Sequence, residues 1–483
     1  MRKLLEIVLL AFLSGGSVFG KSWLAVSPDP ALTEALAPLA AHRQSQGLEV
    51  TIADSSVEEA IVTLGAPPDY LLLVGGQDLI PSKTGRQYRW MSTQEESFAA
   101  DPLFSDLDDD GMPEFPVGRI PATTPAQLRS VIAKIIAYEK RELGSADLSV
   151  PIWSGTPAYG KLLDETADWL LMTTVNKHLP DWAEPWLITA NPNNTLNAWP
   201  EDQGSLFNRQ IQRGAAFTAM IGHGNTNLFL SMEKPKEIVY TNDDTTGLEN
   251  ISPPLVIFAC DCGNFAHLRH ASLAATMLLK DGGPVATIAA TTESHPLTNF
   301  YSSIGLMQAF AEHQIDRAGD LWFTAQTKAH QMRKPLIERL LKNVEGALEV
   351  EINIPKLKRD QLQMYAYLGD PAQRITLPSP LQATIDRSPA GSAWSWSATK
   401  PPAARRLLVQ VRPESTPLRI KPPKSNRDQS LRLFHARNQQ FAFQTIAEID
   451  GSAEWSGEIE TPGELRLVAL SDGKIHVATM RLR

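Results

Sequence analysis

The sequence predicts an α/β fold, a parallel sheet flanked by helices and divided into two subdomains, with a small β-sandwich after it. Three observations predict it: uninterrupted apolar runs bounded by Gly or Pro, helix-period segments between them, and a change of composition after Gly369-Asp370-Pro371. Val50 to Ala53 reads as a strand, and Tyr70 to Val74, preceded by Pro67-Pro68 and followed by Gly75-Gly76, as a buried one. Leu128, Val131, Ile132 and Ile135 recur at helical spacing behind Thr124 and Pro125, a sound helix start. Phe217 to Ile221, Leu255 to Ala259 and Val285 to Ala290 read as central strands covered on both faces. Strands alternating with helices imply a parallel sheet. The N-terminal α/β subdomain is expected over residues 21–145 and a second, catalytic one over 146–377. Beyond residue 378, Pro and Ser become frequent, helical periodicity fades, and short runs such as Leu407 to Val411 and Leu465 to Leu470 predict the sandwich, with Pro413 to Ser425 as a long loop or irregular edge.

The chain has 483 residues, enough for about three domains. Its 54 acidic residues against 45 basic ones give a net charge of −9, which excludes phosphate-backbone binding as the main activity. Arg2 and Lys3, an apolar run ending at Leu13 (interrupted by Glu6) and the small-residue stretch Ser14 to Gly20 form the pattern of a signal peptide over residues 1–20. A buried N-terminal helix or strand is the rival reading. No other segment reaches the roughly 18 apolar residues of a membrane span. An exported protein, periplasmic or extracellular and monomeric, is expected. Such proteins usually spend cysteines on disulfides, yet this one has only Cys260 and Cys262, too close in an extended segment for an unstrained bridge. Two thiols kept in one place suggest chemistry, although buried free cysteine is also a common core filler.

In doubly wound sheets ligands bind beyond the carboxyl ends of strands, so the residues after the apolar runs matter most. One run leads into Gly222-His223-Gly224-Asn225, and the next, 37 positions after the histidine, into Cys260-Asp261-Cys262-Gly263-Asn264-Phe265. A nucleophilic thiol needs a base to take its proton and N–H donors for the oxyanion formed on attack. His223 and Cys260 supply the first requirement, and the amides of Gly224 and Cys260 the second, glycine permitting close backbone approach. A lone histidine after a strand is ordinarily structural, and His223, Cys260, Cys262 and His267 also hold zinc-ligand chemistry, but C-x-C with distant histidines does not match zinc spacing. Strand-end placement of both residues favours acyl transfer.

These two blocks resemble those of the caspase-like clan, and in detail the gingipain-type cysteine peptidases. Three further stretches fit: Pro68 to Gly75 with Ile80-Pro81, Asp101 to Pro121 containing Val117-Gly118-Arg119-Ile120-Pro121, and Leu368-Gly369-Asp370-Pro371. Together they span roughly residues 22 to 377. The resemblance implies a caspase-like catalytic unit in two subdomains, an immunoglobulin-like domain after it, and secreted cysteine endopeptidase activity that needs no cofactor, with His223 and Cys260 in the catalytic positions. It also implies an acidic residue near the histidine from the loop after Val150 to Trp153. Here that loop, Ser154 to Gly160, holds no carboxylate before Asp164, so a dyad is expected. Arginine-specific relatives bind a basic side chain through an acidic residue from this region, which makes Asp164 or Glu165 a candidate for the P1 pocket. Both residues could equally cap a helix through Ala167 to Leu171.

Asp106, Asp108 and Asp110 before Gly111 present alternate carboxylates on a tight loop, suited to a structural calcium ion and equally to a solvated acidic turn. Val117 stands where an EF-hand requires Glu. His267, His270 and His295 are near the nucleophile in sequence, one of them a candidate cleft residue and the rest packing or surface residues. Cys262 is either a spectator or a thiol that resolves oxidised Cys260. The expected function is peptide hydrolysis through a Cys260 acyl-enzyme, possible variants being a non-catalytic surface-binding protein on the same fold and a transpeptidase.

Overall fold

The computed structural model describes residues 20–482 except 89–93, 156–170, 232–236, 266–270, 313–314, 340–352, 388–392, 417, 419, 424 and 452–453. The leader expected over residues 1–20 lies almost wholly outside these residues. Asp164, Glu165, His267 and His270 lie outside them too.

Ten strands form the central sheet: β1 (Ser22–Val26), β2 (Glu49–Ala53), β3 (Tyr70–Val74), β4 (Val117–Ile120), β5 (Ser149–Ser154), β6 (Glu184–Thr189), β7 (Thr218–Ile221), β8 (Leu255–Phe258), β9 (Thr287–Ala290) and β10 (Tyr365–Leu368). Their order is β2-β1-β3-β4-β10-β9-β8-β7-β5-β6. Side chains alternate across such a sheet, and here both faces are apolar. On β3, Tyr70, Leu72 and Val74 enter one core while Leu71 and Leu73 enter another. Continuous apolar runs, rather than alternating ones, follow from this double coverage.

The sheet is mixed, which corrects the expectation of an all-parallel one. β10 runs antiparallel to β9, with Ala290 facing Tyr365 and Thr287 facing Leu368. The helix Ile354–Met364 delivers the chain to the same rim at which β9 ended, so the following strand must run back down. β10 also meets β4 at one rung, Leu368 with Arg119, which joins the two halves of the sheet.

At the amino-end rim beside that junction, the Gly369-Asp370-Pro371 turn is a polar clamp. The buried Asp370 carboxylate accepts from Arg43 Nε at 2.7 Å, Trp23 Nε1 at 3.0 Å and the Ala372 amide at 3.0 Å. Arg43 also reaches Glu139 on the helix Pro125–Lys140. That helix starts as its sequence predicts, with Thr124 Oγ1 accepting from the Gln127 amide and proline in the first turn.

After residue 378 come two further sheets. One of five strands contains Ala404–Pro413 and Gly463–Ser471 at its centre, and one of three contains Trp394–Ala398. Trp396, Leu407, Val409, Trp455, Leu465 and Leu467 fill the space between them. The opposite face of the five-stranded sheet, through Leu408, Val468, Leu470 and Val477, joins the core of the catalytic half. A helix, Arg427–Gln439, stands where fading periodicity predicts none; its buried positions Ser430, Phe434 and Asn438 are mostly polar, which hides its period. It covers the edge of β6: the Asn438 side chain accepts from the Leu187 amide at 2.8 Å and donates to its carbonyl at 3.0 Å, as a neighbouring strand would. Among the described residues no helix is long and apolar enough to cross a membrane.

Candidate active site

β7 and β8 are parallel neighbours, with Ile221 opposite Phe258, and the ladder continues through the Gly222 amide to the Phe258 carbonyl at 3.1 Å. His223 and Cys260 each lie two residues beyond that rung, on strands about 4.8 Å apart. Both predicted residues therefore leave the sheet at the same rim and level. His223 opens a hairpin, His223–Asn225 with Leu228–Ser231, and Cys260 enters a tight turn.

That turn is built for close packing. Asp261 adopts the left-handed conformation at φ 51°, costly for most residues but tolerated by Asp, and it bends the chain directly after the thiol. The Asp261 amide donates to the Thr292 carbonyl and the Gly263 amide to that of Ala290 at 2.9 Å. A methyl group on Gly263 would come within 2.4 Å of the Ala289 carbonyl oxygen, so only glycine fits there. Farther along the loop, the Arg119 guanidinium lies 5.0 Å from the centre of the Phe265 ring. Arg119 is buried and held by two parallel bonds to Asp101, at 2.7 and 2.8 Å, and by a third to the Gly75 carbonyl. The Val-Gly-Arg-Ile-Pro stretch thus braces the loop after Cys260.

Cys260 is half-buried and Cys262 fully so; both are free thiols. Burial pushes the Cys260 thiol up to about 11, with the Glu293 and Asp261 carboxylates acting in the same direction and the amides of Ser294 and Cys260 itself favouring the thiolate. The group needs a base, and His223 stands on the neighbouring strand end.

Sequence reasoning missed Ser294. It lies on the loop after β9, a third strand end at the same rim, and is held from behind by a buried network: Asn299 Nδ2 donates to Ser294 Oγ at 2.9 Å, while Tyr365 and Gln361 donate to Asn299 Oδ1. The rule that directs attention beyond the ends of buried strands points to this loop, though not to Ser294 in particular. The hairpin Thr84–Tyr88 with Glu95–Ala99 was also unassigned; Gln87 on it donates to the Glu293 carbonyl at 2.8 Å and to Thr292 Oγ1, which lays the first half of the chain over this loop. Of the remaining histidines, His295 is buried and caps the helix Pro296–Ala309, its Nδ1 accepting from the Leu297 amide at 3.1 Å.

Gly224 is tightly packed within the fold. A methyl there would lie 2.7 Å from the Leu228 carbonyl oxygen and 2.8 Å from Cys262 Sγ. On the opposite side, Gly155 donates to the Ile221 carbonyl, so the loop leading toward Asp164 starts beside the histidine turn.

Away from this rim, Asp106, Asp108 and Asp110 converge, with one carboxylate oxygen of each within 4.8 Å of the others. Backbone amides of Asp110 and Gly111 donate to Asp106. Burial first, then the nearby Asp110 and Asp109 charges, raises the Asp106 carboxyl despite those amides. Three carboxylate oxygens in reach of one another are the donor type a hard cation takes.

Comparison with known proteins agrees with this architecture. The model of peptidase family C25 matches residues 20–376. No curated protein sequence matches. Among solved structures, the crystal structure of the Arg-specific cysteine proteinase gingipain R superposes with a TM-score of 0.57 at 13% identity, covering 97% of this chain and 99% of that one. A complex of the pro- and mature domains of RgpB from Porphyromonas gingivalis gives 0.56 at 13% identity, covering 96% and 100%, and a structure described as a protease gives 0.56 at 14%, covering 95% and 97%. At these identities the superpositions establish the fold, including the β-rich C-terminal part, while the match of the family model over most of the chain establishes descent: the chain belongs to peptidase family C25.

Proposed function

We propose that this protein is an exported cysteine endopeptidase acting through a Cys260 acyl-enzyme. His223 takes the thiol proton, the sulfur attacks the peptide carbonyl, and the amides of Gly224 and Cys260 receive the oxyanion. His223 then gives the proton to the departing amine, and water activated by the same imidazole releases the acyl group. The single observation that carries this reading is the shared rung Ile221–Phe258, which brings the two residues out side by side. Family membership supports it.

A basic P1 residue is the substrate preference we assign. Its support is the likeness of the fold to the Arg-specific proteinase gingipain R, with Asp164 the candidate carboxylate for the pocket. We read the C-terminal part as an immunoglobulin-like sandwich carrying one added helix, and the acidic loop at Asp106, Asp108 and Asp110 as a structural calcium site. Internally quenched peptides with Arg, Lys, Leu or Glu at a single cleavable position test the reading. Cleavage after Arg or Lys that disappears in Cys260→Ala and His223→Ala is expected; cleavage that survives Cys260→Ala would overturn it.

A further inference from the structure

Cys262 is fully buried, and its sulfur lies against the histidine turn. Its Sγ donates toward the Asn225 carbonyl at 3.2 Å, with the Leu228 carbonyl at 3.7 Å. Asn225 and Leu228 face one another across the hairpin that begins at His223. Gly224, between histidine and asparagine, is pressed so close that a methyl group would lie 2.8 Å from the sulfur. The backbone of Cys262 makes a matching link. Its carbonyl accepts from the Ala274 amide at 3.0 Å, while the preceding amide, Leu273, donates to the Thr226 carbonyl at 2.7 Å. Consecutive amides at the start of the helix Leu273–Leu279 thus hold one carbonyl from each loop.

We propose that Cys262 is a positioning residue: its thiol, donated into the Asn225 carbonyl, seats the turn carrying His223 against the turn carrying Cys260. It touches no reacting atom, and it serves neither as nucleophile nor as a resolving thiol, because its sulfur is sealed under the hairpin. A small displacement of one turn relative to the other would lengthen the proton path between imidazole and thiol, and misplacement on the order of 1 Å costs about 100-fold in rate. The proposal rests on the peptidase reading above, and the experiment separates the two.

The chain has two cysteines, so in Cys262→Ala the one remaining thiol is Cys260. The rate of iodoacetamide alkylation of Cys260 at pH 7, followed by mass spectrometry, is compared in wild type, His223→Ala, Cys262→Ala and Cys262→Ser, alongside kcat and KM for a cleaved peptide and a thermal melt. The expected result is fast alkylation in wild type that is lost in His223→Ala, falls about tenfold in Cys262→Ala, and stays within about threefold of wild type in Cys262→Ser, where a hydroxyl can donate to the same carbonyl. The activity loss falls on kcat, with KM nearly unchanged. If Cys262→Ala does not fold, Cys262→Val, which fills the volume without a donor, replaces it. Equal rates in wild type and the donor-less variant overturn the positioning role and leave the peptidase reading standing. Wild-type alkylation no faster than that of His223→Ala overturns both.

Discussion

Removing the Asp370 carboxylate is expected to be among the most damaging single changes outside the active site. Asp370 and Arg43 are both fully buried, and the carboxylate receives Arg43 Nε, Trp23 Nε1 and the Ala372 amide. Asp370→Ala leaves the Arg43 charge with Glu139 as its remaining carboxylate partner, a change that costs about 3–5 kcal/mol for a buried pair. It also orphans a buried indole N–H, at about 1–3 kcal/mol. The expected total is about 4–8 kcal/mol, a large part of the 5–15 kcal/mol that holds a typical domain folded. Asp370→Asn keeps an acceptor for Trp23 and is expected to cost about 3 kcal/mol. Arg43→Met with Asp370→Leu removes both charges together and is expected to recover most of the loss, because an apolar replacement of a buried pair is often close to neutral. Urea unfolding followed by tryptophan fluorescence measures all three, Trp23 itself reporting from beside the clamp. A cost below about 1 kcal/mol for Asp370→Ala, or a double variant no more stable than the worse single one, would refute the clamp.

Further outcomes are expected. Burial works against the charge of Glu139, but the Arg43 guanidinium, the Arg374 amide and the Gln46 and His42 side chains outweigh it and hold its carboxyl below the usual range. Its stabilising contribution is therefore complete above pH 4.5 and is lost as pH falls below that, so Glu139→Gln should flatten the acid limb of a melting-temperature profile. Arg119→Met should cost about 3–5 kcal/mol in the same urea assay by stranding buried Asp101, and should slow Cys260 alkylation by freeing Phe265 and its loop. Asn438→Ala should cost about 1–3 kcal/mol by uncovering the Leu187 backbone, and a chain cut at residue 377 should aggregate, because Leu187 and its neighbours on the β6 edge lose their cover. Calcium should raise the melting temperature of wild type and not of Asp108→Asn; an equal rise in both would remove the ion from the account.

Much of the fold was legible in the sequence where local pattern and tertiary demand agree. Tyr70–Val74 is a strand over the whole apolar run because both of its faces are buried, and the helix from Pro125 starts where Thr124 and Pro125 signal it. His223 and Cys260 were legible because the end of a buried strand is a place that sequence can mark. What escaped depends on partners distant in the chain. The direction of Tyr365–Leu368 is set by where the preceding helix ends, not by its own residues. The helix Arg427–Gln439 buries an amide that pairs with another strand's backbone, which gives no apolar period. The contacts of the Ser294 amide and of the buried Cys262 sulfur are ones that neither residue type nor spacing announces. The close packing of Gly224 against the Leu228 carbonyl and the Cys262 sulfur is likewise a contact between distant residues.

The central claim is that Cys260 is a nucleophile served by His223. Thiol-directed active-site labels carrying Arg, Lys, neutral or acidic P1 groups, applied to wild type, His223→Ala, Cys260→Ala and Cys262→Ala, and traced by peptide mass spectrometry, test it most directly. The expected result is an adduct on Cys260 with the Arg or Lys label, absent in Cys260→Ala, greatly slowed in His223→Ala and reduced in Cys262→Ala. Wild-type protein that forms no adduct at Cys260 with any of these labels would contradict it.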